Sequence, residues 1–314
     1  MGQSTGIAKG ILGFPVAPFT ETGKLDEQAL FENIRFLVEE GLNAIYIACG
    51  SGEFQSLDRA EYEVMLDTAI EAVAGKVPIY TGVGGNLRTA VELAALSAEK
   101  GAAGYLLLPP YLIHGEQEGL YQYAKEIFDS APTMDAILYQ RDNAVYSIDT
   151  VRRLTAYPQL KGIKDGIGNM ELNICLTQEF KGRVDFLNGM PMAEVTMPAY
   201  LPLGITTYSS AISNYIPHIS RLYYESLLAG DQSTLDDLYA DVILPINRIR
   251  KQRKGYAVAL IKAGMEIIGL NTRGYVRPPV VPVTKEHYKE MERILAKALE
   301  KYPRKEKISE IKGS

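Results

Sequence analysis

The chain has 314 residues, 46% hydrophobic and 23% charged, the profile of an ordinary globular protein with one large domain or two modest ones. A net charge of −5 gives no support for nucleic-acid binding, and two cysteines with three scattered histidines make neither a disulfide framework nor a zinc site. No apolar run is long enough to span a membrane, and the polar opening Met-Gly-Gln-Ser-Thr-Gly lacks a signal-peptide core, so a cytoplasmic enzyme is the expectation.

Short apolar runs alternate with amphipathic stretches along most of the chain. Residues 10–15 read as a first strand. Asp26 then caps a helix carried by Leu30, Ile34, Leu37 and Val38 as far as Gly41. A strand follows at 44–49, and Leu57-Asp58 opens a helix to about Ala74. Residues 77–82 are a strand, and Thr89 caps a helix ending at Lys100. The pattern continues with strands at 104–108, 136–139, 160–164, 184–188 and 205–208, separated by helices at 117–130, 148–156, 170–180 and 192–200. The strands are unbroken apolar runs, as expected where both faces of a parallel sheet are covered. Eight strand–helix units point to a (β/α)8 barrel of the TIM type over 1–227. A doubly wound nucleotide fold fits less well, because Gly82-Val-Gly-Gly85 lacks the full G-x-G-x-x-G spacing. From 228 to 314 the periodicity is helical, at 234–249, 255–268 and 285–302, with Pro278, Pro279 and Pro282 between the last two. These helices form a C-terminal appendage, and the charged stretch 304–314 is expected to fray.

In such a barrel the chemistry gathers at the carboxyl ends of the strands. The sixth strand runs into Lys164-Asp165-Gly166. An ammonium there is costly to desolvate, and what it gains is a lowered pKa and a neutral, nucleophilic amine. The alternative is a surface lysine on an edge strand. Gly50-Ser51-Gly52 ends the second strand, and its N–H groups and hydroxyl suit a carboxylate; a plain glycine turn is the competing reading. Glu53 is read as a structural acceptor. Tyr139 is a proton relay or a core aromatic. Arg141 is a carboxylate fork or a surface ion pair. Gly189 ends the seventh strand. Ser209, Ser210 and Asn214 either hold substrate hydroxyls or cap the next helix, and His114 falls on a solvated loop.

These residues carry a resemblance. Gly-Ser-Gly-Glu53, Pro-Pro-Tyr111 with the downstream Gln-Glu-Gly-Leu-Tyr121, Tyr139 and Gly-Ile-Lys164 resemble the dihydrodipicolinate synthase / N-acetylneuraminate lyase family, in order and at family spacing over about 10–230. The resemblance implies a barrel with C-terminal helices, Lys164 as the imine-forming lysine and Tyr139 as the catalytic tyrosine. It also implies Ser51, with the Gly52 N–H, as ligands of the keto-acid carboxylate. Gly50 stands where the synthase has the first of paired threonines, and Leu112 where it has a tyrosine lent across a dimer, so the synthase's hydroxyl relay is broken. Phe14-Pro-Val-x-Pro-Phe19, Gly-Glu-Phe54, Tyr139-x-Arg-Asp-Asn-Ala144, Lys164-Asp-Gly166 and Thr206-Thr-Tyr-Ser-Ser-Ala211 instead resemble a dehydratase branch acting on sugar diacids; Gln140 replaces the usual asparagine.

The likeness to that branch implies a 2-keto-3-deoxy sugar diacid as substrate and loss of water and CO₂ through an imine on Lys164. No metal or organic cofactor is implied. Arg141, Ser209 and Asn214 would attend the distal half of the substrate, with Gly189 as a further substrate-binding position. A homotetramer built from dimers is the implied assembly, with no nucleic-acid or membrane partner. Two alternatives stay open. One is an aldolase of the same family releasing pyruvate; the other is a catalytically silent, ligand-binding barrel.

Overall fold

The computed structural model describes residues 6–272 and 274–304. The stretch 305–314, expected to fray, and the first five residues lie outside the described residues. Eight strands form one parallel sheet: β1 (Ile11–Leu12), β2 (Ile45–Ile47), β3 (Ile79–Val83), β4 (Gly104–Leu107), β5 (Asp135–Gln140), β6 (Leu160–Asp165), β7 (Asp185–Asn188) and β8 (Thr207–Ser209). Their order is β1-β8-β7-β6-β5-β4-β3-β2. The seam between β1 and β2 is closed by Gly13, which donates to the Ala44 carbonyl at 2.9 Å and accepts from the Tyr46 N–H at 2.8 Å. A Cβ on Gly13 would meet Ile45 Cδ1 at 2.9 Å and the Ala44 oxygen at 3.2 Å, so glycine lets the two strands approach. The sheet is therefore a barrel.

Helices alternate with the strands: α1 (Glu27–Glu39), α2 (Arg59–Val73), α3 (Leu87–Glu99), α4 (Gln117–Ser130), α5 (Ile148–Leu154), α6 (Met170–Phe180), α7 (Ala193–Tyr200) and α8 (Pro217–Ala229). Asp26 caps α1 as its position suggested, accepting from the Ala29 N–H. Asp58 and Glu61 form a reciprocal capping box on α2. The cap of α3 differs from the sequence expectation. Asn86, one turn earlier, accepts the Thr89 N–H at 2.9 Å, so Thr89 is the recipient and not the cap.

Four more helices follow among the described residues: α9 (Gln232–Leu238), α10 (Leu244–Lys251), α11 (Tyr256–Ile267) and α12 (Lys285–Lys301). Between α9 and α10 the chain takes the wider π register over Tyr239–Ile243. Pro245 is the second residue of α10, and without an N–H it cannot continue the regular ladder. The expected division at 227/228 falls inside α8, which runs on to Ala229.

The barrel interior is packed by Leu12, Phe14, Tyr46, Tyr80, Leu106, Ile137 and Leu187 among others. Phe14 stacks on Tyr46 at 4.5 Å between centroids, and Tyr46 on Tyr80 at 4.8 Å. That column fills the barrel and leaves its open end at the carboxyl ends of the strands. Among the described residues no helix is long and apolar enough to cross a membrane.

Candidate active site

Lys164 is the fifth residue of β6, one register step from the strand's end, and pairs with Tyr139 on β5 and Leu187 on β7. Its side chain is only 4% exposed. The amine lies 3.8 Å from the centroid of the Phe14 ring and 4.8 Å from that of Tyr139. Among the described residues no carboxylate pairs with it. Burial is the largest influence and lowers its pKa to about 7, with the Arg141 guanidinium adding to the depression. A neutral amine is then accessible at ordinary pH, which is what attack on a carbonyl requires.

The local sequence makes room for this. A Cβ on Gly189 would come within 2.4 Å of Lys164 Cε. One on Gly166 would come within 2.7 Å of Tyr139 Cε2 and 2.9 Å of Arg141 Cδ. The two glycines thus admit the side chains of the residues beside them. Asp165, next to the lysine, is held by Ile167 and Gly168 N–H groups, Asn173 Nδ2 and, at 2.5 Å, the Tyr200 hydroxyl. That knot fixes the end of β6 and occupies a carboxylate that could otherwise hold Lys164 as a cation.

Tyr139 donates toward the Gly189 carbonyl at 3.4 Å and receives Arg141 Nη1 at 3.4 Å. Burial raises its pKa while the adjacent guanidinium opposes the rise. The loop after β5 is pinned by Gln140, which accepts the Tyr146 N–H at 2.7 Å, and by Asn143, whose Nδ2 donates to the Pro110 carbonyl at 2.6 Å.

Ser51, Tyr139, Arg141, Lys164, Gly189, Ser209 and Asn214, separate in sequence, all line one cavity of about 340 Å³. Gly52 does not line it. It is buried one residue behind, packed against Ala48 and Cys49. Ser51 Oγ donates to the Phe14 carbonyl at 3.0 Å, and Asn214 Nδ2 reaches the same oxygen at 3.3 Å. Asn214 Oδ1 is buried without a partner among the described residues. Ser210 also lines the cavity, and its hydroxyl donates to Glu194 Oε1 at 2.5 Å. Glu194 is fully buried, which pushes its carboxyl up to about 7. His114 is exposed, as its loop position suggested. Glu53 accepts the Arg277 N–H at 3.0 Å and Lys262 Nζ at 2.5 Å, a structural acceptor with one backbone partner and one side-chain partner.

Phe14, known from the sequence only as part of its motif, forms the floor beside the amine. Two further features of the site carry no signal in the sequence. Glu194 backs Ser210 from α7. Arg250, from the last turn of α10, reaches the cavity wall, with Val258 and Ile261 of α11 beside it. Nothing in a one-dimensional pattern sets Arg250 apart from Arg248 and Lys251 in the same turn.

The model of the dihydrodipicolinate synthetase family matches residues 7–298. The chain belongs to that family. Its relatives within it include a Bacillus subtilis (strain 168) protein named "Probable 5-dehydro-4-deoxyglucarate dehydratase", 65% identical over 94% of this chain and 96% of the relative. A Bacillus licheniformis protein of the same name is 62% identical over 97% and 98%. Among solved structures, a dihydrodipicolinate synthase from Oceanobacillus iheyensis superposes with a TM-score of 0.85 at 27% identity, over 92% of this chain and 96% of that one. The sialic acid aldolase of Ruminococcus gnavus reaches the same TM-score of 0.85 at 19% identity, over 94% and 99%, a likeness of fold alone. The family's barrel is thus shared by enzymes of different names, and the dehydratase name comes with the high sequence identity.

Proposed function

We propose that this chain converts 5-dehydro-4-deoxyglucarate to 2,5-dioxopentanoate, water and CO₂. The observation that carries this reading is a buried Lys164 amine with no carboxylate partner among the described residues, in a cavity lined by Arg141 and Arg250 and by no acidic side chain. Such a cavity favours an anionic keto acid and supplies a neutral nucleophile to it. The dehydratase names of relatives at 62–65% identity support the same choice.

Carbons are numbered from the keto end. The Lys164 amine adds to C2, and loss of water from the carbinolamine leaves an iminium. The iminium acidifies C3; loss of a C3 proton gives an enamine, whose electrons expel the C4 hydroxyl as water. The product is an iminium conjugated to a C3–C4 double bond. Electrons of the C5–C6 bond then flow into that sink, and C6 departs as CO₂. Protonation, tautomerisation of the C5 enol to an aldehyde and hydrolysis of the imine release 2,5-dioxopentanoate and return the lysine. One electron sink serves both cleavages, so the scheme calls for no metal or organic cofactor.

Tyr139, with Arg141 against its hydroxyl, carries protons during carbinolamine formation and collapse. Ser51 turns its hydroxyl from the Phe14 carbonyl to the C1 carboxylate, without Gly52, which lies behind the cavity wall. Gly189, Ser209 and Asn214 border the hydroxylated part of the substrate, and Arg141 stays with Tyr139 near the imine. The barrel, 1–227, carries the covalent chemistry, and within 228–314 the helices α10 and α11 close one wall of the cavity. The enzyme is read as cytoplasmic and as a homotetramer built from dimers. The apolar loop Tyr111, Leu112 and Ile113, exposed at 50%, 106% and 60%, supports self-association.

The test is intact mass after borohydride reduction in the presence of 5-dehydro-4-deoxyglucarate. Wild type should gain an adduct lacking the mass of water and CO₂, and Lys164→Ala should gain none and lose turnover by ~10⁴-fold or more. A pyruvate-sized adduct would replace the reading with an aldolase, and no adduct with any keto acid would leave a silent barrel.

A further inference from the structure

Arg250 stands out among the cationic groups of the cavity. It belongs to the last turn of α10, where its neighbours Arg248 and Lys251 are exposed while Arg250 is half-buried and lines the cavity. Its Nε donates to Asn247 Oδ1 at 3.1 Å, and Asn247 is itself 6% exposed. Among the described residues no carboxylate pairs with it. Burial lowers its pKa, the mark of a guanidinium desolvated without a counter-ion. Asn247 anchors the near nitrogen, which leaves the two terminal nitrogens as a fork for an incoming carboxylate.

Position separates it from Arg141. Arg141 sits against the hydroxyl of Tyr139, whose ring centroid lies 4.8 Å from the Lys164 amine; Arg250 is held by Asn247 of its own helix and, among the described residues, makes no hydrogen bond to Tyr139, Lys164 or Ser51. Arg141 therefore belongs to the imine end and Arg250 to the far end. With Lys164 neutral, the two guanidinium groups offer two positive charges to a substrate carrying two negative ones.

We infer that Arg250, contributed by the C-terminal helices, recognises the distal carboxylate and makes the cavity selective for 2-keto diacids over 2-keto monoacids. This rests on the sugar-diacid reading of the cavity. It gives the appendage a role in substrate choice and predicts that the barrel alone would bind keto acids without reading their far end.

Two six-carbon probes isolate the effect. 2-Oxoadipate and 2-oxohexanoate differ only at the distal end, both can form an imine with Lys164, and neither has a hydroxyl to lose. The concentration giving half-maximal borohydride trapping is measured for each. Wild type should favour 2-oxoadipate by about tenfold or more, the scale of one charge-assisted hydrogen bond. Arg250→Gln should abolish that preference by raising the 2-oxoadipate value, with 2-oxohexanoate unchanged, and Arg250→Lys should restore part of it. A preference kept intact in Arg250→Gln, or one lost only in Arg141→Gln, overturns the assignment. Should the Gln variant trap neither acid, Arg250→Lys decides: a reduced preference supports the inference and an unchanged one overturns it. Failure of the dehydratase reading looks different, because diacid preference would persist while 5-dehydro-4-deoxyglucarate lost neither water nor CO₂.

Discussion

Lys164 and Lys262 are both buried, at 4% and 0% exposure, and each places its amine near a phenylalanine ring, Phe14 at 3.8 Å and Phe19 at 4.4 Å. They differ in what else is there. Lys262, on α11, donates to Glu53 Oε1 at 2.5 Å and to the Tyr275 carbonyl at 2.7 Å. Burial lowers its pKa to about 8, against the upward pull of Glu53, so it is still largely a cation at neutral pH. Lys164 has no such partner among the described residues and falls to about 7. Burial alone does not make a nucleophile; burial without a carboxylate does. The Lys262–Glu53 pair has a structural task. It ties the C-terminal helices to Glu53, whose φ of +51° is left-handed, and so holds the turn presenting Ser51.

Breaking the pair should have the largest effect on stability. Lys262→Met leaves the buried Glu53 without its ion-pair partner, with only the Arg277 N–H to hold it, and should cost about 3–5 kcal/mol in urea unfolding. Adding Glu53→Gln to the same chain should recover part of the loss. Lys164→Met should behave oppositely. The folded-state pKa of Lys164 is about 7, below the usual 10.5, so the folded state disfavours its charge. Its contribution to stability is present above pH 10.5 and lost as pH falls to 7. Removing the amine should therefore hold or raise stability at pH 7, with the gain shrinking toward pH 10.5. A destabilised Lys164→Met beside a harmless Lys262→Met would invert the comparison.

The next effect is on rate. Only the neutral amine attacks, so trapping by pyruvate and borohydride should fall about tenfold per pH unit on the acid side and level off above a midpoint near 7. A midpoint near the ordinary 10.5 would show that Lys164 is solvated during catalysis and no different in kind from a surface lysine.

How much of this could be read from the sequence depends on whether the signal was local. The barrel was legible, because eight apolar strands alternate with helical periodicity and Asp26 and Asp58 cap helices where their positions suggest. Lys164 was legible from its place at the carboxyl end of the sixth strand, whereas the steric need for Gly166 and Gly189 beside Tyr139 and Lys164 is visible only in the folded chain. The α3 cap was misread because Asn86 and Thr89 are both competent caps one turn apart, and only the backbone decides between them. Arg250 was invisible for a different reason. Arg248, Arg250 and Lys251 make one basic turn, and which of them meets the cavity depends on how α10 packs against the barrel. Glu194 was hidden likewise, since its hydrogen bond to Ser210 joins positions 16 residues apart that only the fold brings together.

The smallest expected effect concerns the feature the two lysines share. Because Phe14 and Phe19 both face an amine, an aromatic ring cannot be what separates a neutral lysine from a charged one. The ring nonetheless favours the ammonium form through its quadrupole, by ~0.5–1 kcal/mol where exposed and more when desolvated. In Phe14→Leu that support is lost while the surroundings stay apolar, so the trapping midpoint should move down by about half a pH unit. An upward shift would mean that the smaller side chain admits water and that solvation of the ammonium outweighs the lost ring. In that case Phe14 keeps Lys164 neutral by excluding water, and the contrast with Lys262 would rest on hydration as well as on the absent carboxylate.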